Sequence, residues 1–367
     1  TTSLKMLYYR FFHTLTVKDV RRETPDAVSI AFDVPSDLAD AYHYEPGQYL
    51  TLKTDIDGAE VRRSYSICSG VDDGEIRVAV KKVDGGVFST FANGGLAAGA
   101  PLDVMTPMGR FVVPVEPSEA KVYVAIAAGS GITPIMAQIK TILAREPKSR
   151  FFLFYGNRSA QSILFKDEIE DLKDRFLDRL SVVHVLSGEA QDVPILSGRL
   201  DPEKVRAFLT HVMPAADVDH FLVCGPGLMI EGARQVLADM QVPEEKLHVE
   251  LFTPAGSEIT AAPPVRKAPA GDTAESASAD VIVDGTTTTL SMKDGETIID
   301  AAIRAGLDLP YSCKGGMCCT CRAKVLEGSV TMDLNYSLEP WELEAGFVLT
   351  CQSHPTTPKV VLDYDAM

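Results

Sequence analysis

The sequence predicts a multidomain protein with an antiparallel β-barrel, then an α/β domain built on a parallel sheet, then a small α+β domain. Three observations predict this order. Short strand-like segments fill residues 1–116, buried-strand patterns alternate with helical ones over 117–253, and a stretch without aromatic residues covers 254–279 before the pattern resumes at 280–367. A chain of 367 residues is long enough for two or three domains of ordinary size. We therefore expect three domains with these bounds, joined by a linker at 254–279.

The composition argues against several classes of partner. Lys and Arg total 35 against 51 Asp and Glu, which gives a net charge of −16. Such a surface repels the phosphates of nucleic acids and anionic lipids. The sequence has no apolar run of about 18 residues, and residues 1–12 lack the apolar length and the small-residue cleavage site of a signal peptide. We expect a cytoplasmic protein with no nucleic-acid partner and no membrane contact.

Four segments of alternating polarity predict the barrel. Glycine, proline and aspartate separate them at the spacing typical of strands in a small antiparallel sheet. The segments are His13–Val20, Val28–Val34, Tyr49–Thr54 and Ile76–Val83.

Near-continuous apolar runs predict the parallel sheet, because strands covered on both faces need no polar alternation. The runs are Val122–Ala128, Phe151–Tyr155, Ser181–Leu186, Phe221–Cys224 and Leu247–Phe252. Helical patterns lie between them. The clearest follows the first run, with five apolar residues on one helix face: Ile132, Ile135, Met136, Ile139 and Leu143. Asp201 followed by Pro202 predicts the N-cap and first residue of another helix.

Residues 254–279 are rich in Ala, Pro, Ser and Thr, and cannot bury enough apolar surface to offset the entropy of ordering them. We interpret them as a flexible tether with a reach of about 30 Å; an ordered surface loop is the alternative. Beyond them, Asp284–Gly285 predicts a tight hairpin turn, and Glu296–Ala305 an amphipathic helix.

Four cysteines fall within nine residues near the end of the chain, and a fifth follows. Cys313, Cys318 and Cys321 have C-x4-C-x2-C spacing, and Cys351 comes after 29 further residues. This is the spacing of plant-type [2Fe–2S] ferredoxins, so these four thiolates are the predicted cluster ligands. Zinc bound by four cysteines is the alternative, although zinc sites usually pair two short knuckles. Cys319 does not fit the spacing and is predicted to be a non-ligand.

Two glycine-rich turns follow buried strands of the α/β domain. Gly129–Pro134 precedes a helix, and Cys224–Gly227 closes another strand. Helix N-termini receive pyrophosphates, and open parallel sheets bind ligands at the carboxyl ends of their strands. An ordinary strand-to-helix turn is the alternative for either loop taken alone. The residues predicted to bind the nucleotide are Gly129, Ser130, Gly131, Thr133, Pro134, Gly225 and Pro226.

With these parts in this order, nearly the whole chain resembles the ferredoxin–NADP reductase superfamily fused to a C-terminal plant-type ferredoxin of the β-grasp fold. The R-x-Y-S motif of that family is matched by residues 63–66, and its second flavin-phosphate loop by Lys81–Ser89. Glu250 and Phe252 match the acidic and aromatic pair that borders the flavin. The resemblance implies FAD, bound by Arg63, Ser64, Tyr65, Ser66, Lys81, Gly86, Ser89 and Phe252. It also implies four catalytic residues, which are Tyr65, Ser66, Cys224 and Glu250.

The resemblance gives particular roles to three residues of the R-x-Y-S motif. Tyr65 stacks on the isoalloxazine, Ser66 hydrogen-bonds near flavin N5, and Arg63 neutralises the flavin phosphate. These roles agree with the residue types, because a planar cofactor favours an aromatic face and a phosphate favours a bidentate cation. Taken alone, the motif could be an ordinary strand with a core tyrosine.

Three longer segments are similar to the reductase subunits of phenylacetyl-CoA epoxidases, which serve phenylacetate degradation. They are Tyr155–Phe165, Cys313–Cys321 and Asn335–Gln352. This similarity implies a protein partner, a separate di-iron oxygenase subunit that receives electrons from this chain. Two alternatives stay open: a reductase for a Rieske or other aromatic oxygenase, and a zinc-stabilised nucleotide-binding redox sensor.

Electron counting links the three domains. A nicotinamide gives two electrons as hydride and a [2Fe–2S] centre accepts one at a time, so a flavin must stand between them. Residues 280–367 carry a net charge of −7, against −9 for the other 279 residues, so a basic partner would be steered to the last domain. A generally acidic, solvated surface is the alternative.

NADPH is the favoured nicotinamide cofactor, with NADH second. Arg158 and Ser159 follow the second strand of the parallel sheet, where a 2′-phosphate would lie, and no acidic residue stands directly beside them in the sequence.

Overall fold

The computed structural model describes residues 12–252 and 277–366. These fall into two compact units, one taking in residues 12–61 and 65–252 and the other residues 62–64 and 277–366. Most of the predicted linker, 254–276, lies outside the described residues. Strand structure already begins at Ser278, two residues before the predicted start of the last domain.

The first part of the larger unit is a six-stranded sheet. Its neighbours run in the order β4-β3-β6-β1-β2-β5, and the described pairings are antiparallel. The strands are β1 (Phe12–Thr24), β2 (Ala27–Asp33), β3 (Tyr49–Ile56), β4 (Ala59–Ser66), β5 (Ile76–Lys81) and β6 (Pro101–Met105). Helix α1 (Val87–Gly94) lies between β5 and β6. All four predicted strands are present, within a few residues at their ends.

The sheet curves until its two ends meet. A bridge between Ile67, just after β4, and Val78 on β5 joins the edge strands. Alternate side chains point inward and form one apolar core that includes Leu15, Ile30 and Leu52. The prediction of an antiparallel barrel is therefore confirmed.

The second part of the same unit is a five-stranded parallel sheet in the order β11-β10-β7-β8-β9. The strands are β7 (Val122–Ala128), β8 (Arg150–Asn157), β9 (Leu180–Leu186), β10 (His220–Gly225) and β11 (Leu247–Leu251). In chain order this is 3-2-1-4-5, so the winding reverses between β7 and β10. Ligands bind in such sheets at that reversal, outside the carboxyl ends of the strands.

Helices cover both faces of the parallel sheet, which explains why its strands are apolar throughout. They are α2 (Ile132–Arg145), α3 (Lys166–Arg175), α4 (Pro202–His211) and α5 (Gly227–Asp239). The predicted apolar face of α2 packs into one core cluster, while α4 and α5 pack into a second. Asp201 caps α4 as predicted, since its side chain accepts a hydrogen bond from the Lys204 amide.

The smaller unit is an α+β fold. Its main sheet has the order β13-β12-β18-β14-β16, and β15 pairs with β17. The strands are β12 (Ser278–Val283), β13 (Thr286–Ser291), β14 (Arg322–Glu327), β15 (Val330–Met332), β16 (Phe347–Leu349), β17 (Ser353–Pro355) and β18 (Lys359–Asp363). The helices are α6 (Ile298–Arg304) and α7 (Pro340–Glu344). Asp284 and Gly285 both have positive φ, 50° and 68°, as a type I′ hairpin turn requires.

The multidomain fold class is confirmed in all three parts. Within the described residues, no helix combines the length and the apolarity needed to cross a bilayer.

Candidate functional site

The two predicted glycine-rich turns lie side by side where the parallel sheet reverses its winding. A Cβ atom added to Gly131 would stand 2.2 Å from the carbonyl oxygen of Cys224, which no real side chain tolerates. The first turn follows β7 and the second follows β10, which are neighbours in the sheet. Glycine at 131 is therefore needed to bring the two turns together.

The first turn ends in a helix N-terminus with no side-chain cap. Gly129 has a φ of 55°, and its carbonyl accepts a hydrogen bond from the Tyr155 hydroxyl at 2.9 Å. The Thr133 hydroxyl donates to the carbonyl of Ser130 at 3.0 Å, which fixes the turn from inside. Helix α2, which includes Pro134, begins directly after it without a capping side chain. Uncapped backbone N–H groups at the start of a 14-residue helix suit an anionic ligand.

Three of the predicted catalytic residues converge from three strands of the larger unit. Ser66 ends β4 of the barrel, while Cys224 and Glu250 lie side by side on β10 and β11. The Ser66 hydroxyl donates to the Glu250 carboxylate at 3.0 Å, and the Cys224 thiol is 4.0 Å from the same oxygen. The residues come from both parts of the unit, so the cluster lies where barrel and parallel sheet meet.

Desolvation dominates the electrostatics of this cluster. The protein around the carboxyl group raises the pKa of Glu250 to about 7, although the hydrogen bond from Ser66 acts in the opposite direction. Burial, and then the nearby Glu250 charge, raise the pKa of the Cys224 thiol well above its usual value. A carboxyl group with a pKa near 7 exchanges its proton at physiological pH. The Cys224 thiol, whose pKa is raised, stays protonated at physiological pH.

The other residues of the R-x-Y-S motif lie on β4, as does Ser66. The half-buried ring of Tyr65 contacts Phe88 with 5.5 Å between ring centroids. Arg63 is exposed and Ser64 is half-buried. Phe252 follows β11, and its amide donates to the carbonyl of Gly225 at 2.9 Å, which ties it to the second glycine-rich turn.

The predicted flavin-phosphate loop ends at helix α1. The buried Ser89 hydroxyl accepts from the Val83 amide at 3.1 Å and donates to the Gly86 carbonyl at 3.2 Å. A Cβ atom on Gly86 would approach Ser89 to 2.5 Å, so glycine is required there. Lys81, at the end of β5, lies 3.7 Å from Asp26. The loop is a compact backbone turn that leads into a helix N-terminus, and this geometry fits a phosphate group.

Arg158 and Ser159 follow β8 as predicted, but the fold adds a residue that sequence proximity did not reveal. The carboxylate of Glu189 accepts from the amide of Ala160 at 3.2 Å, and the Gly188 amide donates to the Arg158 carbonyl at 2.7 Å. The loop after β9 therefore places the carboxylate of Glu189 on the segment that follows Arg158. No acidic residue follows Arg158 directly in the sequence, as stated above, and the fold adds Glu189, which contacts Ala160 two residues further on.

The four cysteines with ferredoxin spacing form two pairs in the smaller unit. Hydrogen bonding within each pair lowers the pKa of Cys313, to about 5, and that of Cys351, and it raises the pKa values of Cys318 and Cys321. No three potential ligand side chains among the described residues converge on one metal-ion position. Two cysteine pairs fit a cluster with two irons better than a single zinc ion.

One backbone amide and one side-chain amide supply further donors around these cysteines. The Gly315 amide donates to Cys313 Sγ at 3.3 Å, and Gln352 Nε2 lies 3.5 Å from Cys351 Sγ. Gln352 also donates to the carbonyl of Lys314 at 2.8 Å, which joins the distant fourth cysteine to the loop. Such donors stabilise thiolates that ligate metal.

Cys319 lies on the same loop with a positive φ of 55°, and its thiol donates to the Ser337 hydroxyl at 3.0 Å. Cys68 is buried in the larger unit, where desolvation raises its pKa far above the usual value. Both arrangements agree with non-ligand roles.

Family comparisons match all three parts of the chain. An oxidoreductase FAD-binding domain matches residues 14–113, an oxidoreductase NAD-binding domain matches 125–235, and a 2Fe-2S iron-sulfur cluster binding domain matches 281–356. The fold and these domains define an oxidoreductase that uses FAD, a nicotinamide cofactor and a [2Fe–2S] cluster. The zinc alternative is thereby set aside.

Comparisons with whole proteins narrow the class. The chain is 44% identical over 356 residues to one of the subunits of 1,2-phenylacetyl-CoA epoxidase of Escherichia coli, covering 97% of this chain and 98% of the relative. It is 35% identical to the ferredoxin reductase component of 3-ketosteroid-9-alpha-monooxygenase of Mycobacterium tuberculosis, covering 96% and 95%. The chain belongs to this family of reductase components of multicomponent oxygenases, in which a ferredoxin–NADP reductase type flavoprotein is fused to a ferredoxin.

A solved structure shows the same architecture. The chain matches phthalate dioxygenase reductase with a TM-score of 0.58 and 21% identity, over 96% of this chain and 98% of that one. This likeness supports the fold. The family models and the two relatives make the chain an electron-transfer reductase, and its family implies an oxygenase as its protein partner.

Proposed function

We propose that this chain carries electrons from NADPH through FAD and the [2Fe–2S] cluster to the di-iron oxygenase component of a phenylacetyl-CoA epoxidase. The observation that carries the proposal is the 44% identity to the matching subunit of the Escherichia coli enzyme over 97% of the chain. The ketosteroid reductase components reach 32–35% over similar lengths. The three similar segments include the cysteine loop and residues 335–352, which are local features of the electron-delivering domain.

The bound flavin would take hydride from the nicotinamide and release electrons singly to the cluster. We assign Tyr65 to the ring face, Arg63 and Lys81 to the phosphates, and Ser64, Gly86 and Ser89 to the shape of the two flavin segments. The buried hydrogen bonds of Ser89 support its role, since they hold the loop ready for an anion before any ligand arrives.

Ser66, Cys224 and Glu250 would form the polar end of the hydride-transfer site. Their mutual contacts support this assignment, as does the raised pKa of Glu250, near 7. A group of this pKa can hold a proton beside the reacting atoms or release it as the charge there changes. Phe252, tied to the Gly225 carbonyl, would close the same end of the site.

The nicotinamide nucleotide would lie across the two glycine-rich turns. Gly129, Ser130 and Gly131 present the uncapped start of α2 to the pyrophosphate, with Thr133 and Pro134 in its first turn. Gly225 and Pro226 line the neighbouring strand end. We propose NADPH as the preferred cofactor because Arg158 and Ser159 lie where a 2′-phosphate would bind; Glu189 limits that preference by placing a negative charge nearby.

Cys313, Cys318, Cys321 and Cys351 are the proposed cluster ligands, each pair serving one iron. The pairing of the thiols and the N–H donors near Cys313 and Cys351 support this assignment. One visible spectrum of the purified protein tests it together with the flavin.

Reconstitution with a purified oxygenase tests the proposed function. The chain, NADPH and phenylacetyl-CoA are combined with the oxygenase component of 1,2-phenylacetyl-CoA epoxidase, and the epoxide is measured by mass spectrometry. We expect product formation that depends on this chain. A parallel reaction uses a 3-ketosteroid-9-alpha-monooxygenase oxygenase with its steroid; faster turnover there would overturn the epoxidase assignment in favour of the second candidate.

We also propose the domain bounds 1–116, 117–253 and 280–367 with a linker at 254–279. The matched ranges 14–113, 125–235 and 281–356 each fall inside one predicted domain, which supports the proposal. Limited proteolysis should cut first between 254 and 279.

We further propose a cytoplasmic location, because NADPH supply and thiolate ligands both require a reducing compartment.

A further inference from the structure

The smaller unit exposes the only tryptophan of the chain. The side chain of Trp341, on helix α7, is 58% exposed, and Leu343 two residues later is 43% exposed. Tryptophan is the residue type most enriched among those that dominate binding at protein interfaces. A neighbouring pair of exposed, large apolar side chains therefore marks this helix as a candidate contact surface.

Helix α7 is held firmly from its inner side. Glu342, which is fully buried, accepts a hydrogen bond from Arg322 at 2.7 Å, and the Arg322 guanidinium stacks on the Phe347 ring at 3.3 Å. Trp341 and Leu343 stand on either side of buried Glu342 in the sequence and are both exposed, but only Glu344, three residues after Trp341, lies on the same helix face as the tryptophan. A capping box between Glu339 and Glu342 fixes the start of the helix. An anchor held in this way loses little conformational entropy when a partner binds.

The exposed tryptophan lies close to the cysteine loop. The Tyr336 amide and the Ser337 hydroxyl both donate to the Gly316 carbonyl, at 3.0 Å and 3.3 Å. Ser337 also accepts from the Cys319 thiol at 3.0 Å. Trp341 follows Ser337 by four positions, so their Cα atoms are at most about 14 Å apart. A protein bound at Trp341 is therefore brought next to the loop that holds three of the four proposed ligands.

Charge indicates which partner binds there. Glu344 is exposed directly after Leu343, and residues 280–367 carry a net charge of −7. Residues 12–252 carry −10, so net charge favours neither that region nor a second copy of the chain as the partner of this surface. A separate protein with basic residues around its binding pocket would complement the acidic surface.

We propose that Trp341 and Glu344, which share one face of helix α7, form the surface that docks the oxygenase component. Trp341 inserts into an apolar pocket on that protein, and lysine or arginine side chains around the pocket contact Glu344. The inference rests on the proposed function, since it takes the oxygenase as the partner.

Trp341→Ala in the full-length holoprotein tests the proposal. We expect the KM for the oxygenase in phenylacetyl-CoA turnover to rise about 10- to 30-fold, as for loss of an interface anchor. The flavin and cluster absorbance and the NADPH-dependent reduction of ferricyanide should stay as in the unaltered protein. Glu344→Gln should lower the salt dependence of the KM with a smaller loss. Leu177→Ala, which removes a 76% exposed leucine from the larger unit, is the matched control and should change nothing.

Each of the other possible results contradicts one part of the proposal. An unaltered KM in Trp341→Ala, with normal turnover by the unaltered chain, overturns the docking surface and leaves the proposed function standing. A slower reduction of the cluster by NADPH without oxygenase would show that the tryptophan serves transfer inside the chain, and a dimer lost in Trp341→Ala would show a contact between copies. If the unaltered chain neither binds nor reduces the oxygenase, the proposed function fails and the docking surface with it.

Discussion

The cysteine loop and the cluster of Ser66, Cys224 and Glu250 are assembled in opposite ways. Three of the four proposed iron ligands lie within nine residues, on one loop whose backbone shape sets their positions. The other cluster joins residues separated by 158 and 26 positions, brought together by a barrel strand and two neighbouring parallel strands. The first depends on local spacing, and the second on the packing of two folds against each other. The two should therefore respond differently to substitution.

Cys351→Ser should have the largest effect and should separate the two sites completely. Loss of one of four thiolate ligands removes the cluster, so oxygenase-linked turnover should fall to background. Flavin reduction by NADPH should remain, because the larger unit keeps its own contacts. Visible absorbance measures the cluster content, and stopped-flow spectroscopy measures the rate of flavin reduction. Cys319→Ser is the control and should keep the cluster; loss of flavin reduction in Cys351→Ser would break the comparison.

Gly131→Ala should disturb the crevice without touching the cysteines. The new Cβ would meet the Cys224 carbonyl at 2.2 Å and force the two glycine-rich turns apart. Overpacking of this kind costs about 1–3 kcal/mol, so kcat/KM for NADPH should fall about 10- to 100-fold. Gly94→Ala, at a position with open space, is the matched control. Equal losses in the two variants would refute the close-contact explanation.

Glu250→Gln should change how the rate of NADPH oxidation depends on pH. With a pKa near 7, the wild-type carboxyl is protonated below that pH and charged above it, and the negative charge opposes hydride arrival. NADPH oxidation with ferricyanide should therefore be faster at pH 6 than at pH 8, and the glutamine variant should lose this dependence. The raised pKa also means that the carboxyl's contribution to folding is full below pH 4.5 and is lost as the pH rises through about 7. A pH profile shared by both proteins would assign the transition to another group.

Arg158→Ala should have the smallest effect. Removal of one charged donor to a 2′-phosphate should raise the KM for NADPH about tenfold and leave the KM for NADH unchanged. Glu189→Gln is the reciprocal variant and should lower the KM for NADPH, because it removes the neighbouring negative charge. Parallel changes with both nucleotides would place Arg158 outside the 2′-phosphate site.

These contrasts explain what the sequence could predict. The strands, the N-cap at Asp201 and the hairpin at Asp284–Gly285 depend on short-range patterns, and each could be found from the sequence. Glu189 could not, since it is brought to Ala160 by the pairing of two neighbouring strands of the sheet. The raised pKa of Glu250 was equally hidden, because it depends on what the fold places around the carboxyl group. Trp341 is visible in the sequence, but its exposure depends on the buried Glu342–Arg322 pair.

The single tryptophan also gives the protein a built-in optical probe. Any change in tryptophan emission from this chain originates at one position, on the unit that holds the cysteine loop and not on the unit that binds flavin. Iron–sulfur chromophores absorb at the wavelengths at which indole emits, so the emission should dim as the cluster assembles and recover as it is lost. Emission from position 341 can thus follow metal loading in the folded chain without any attached label.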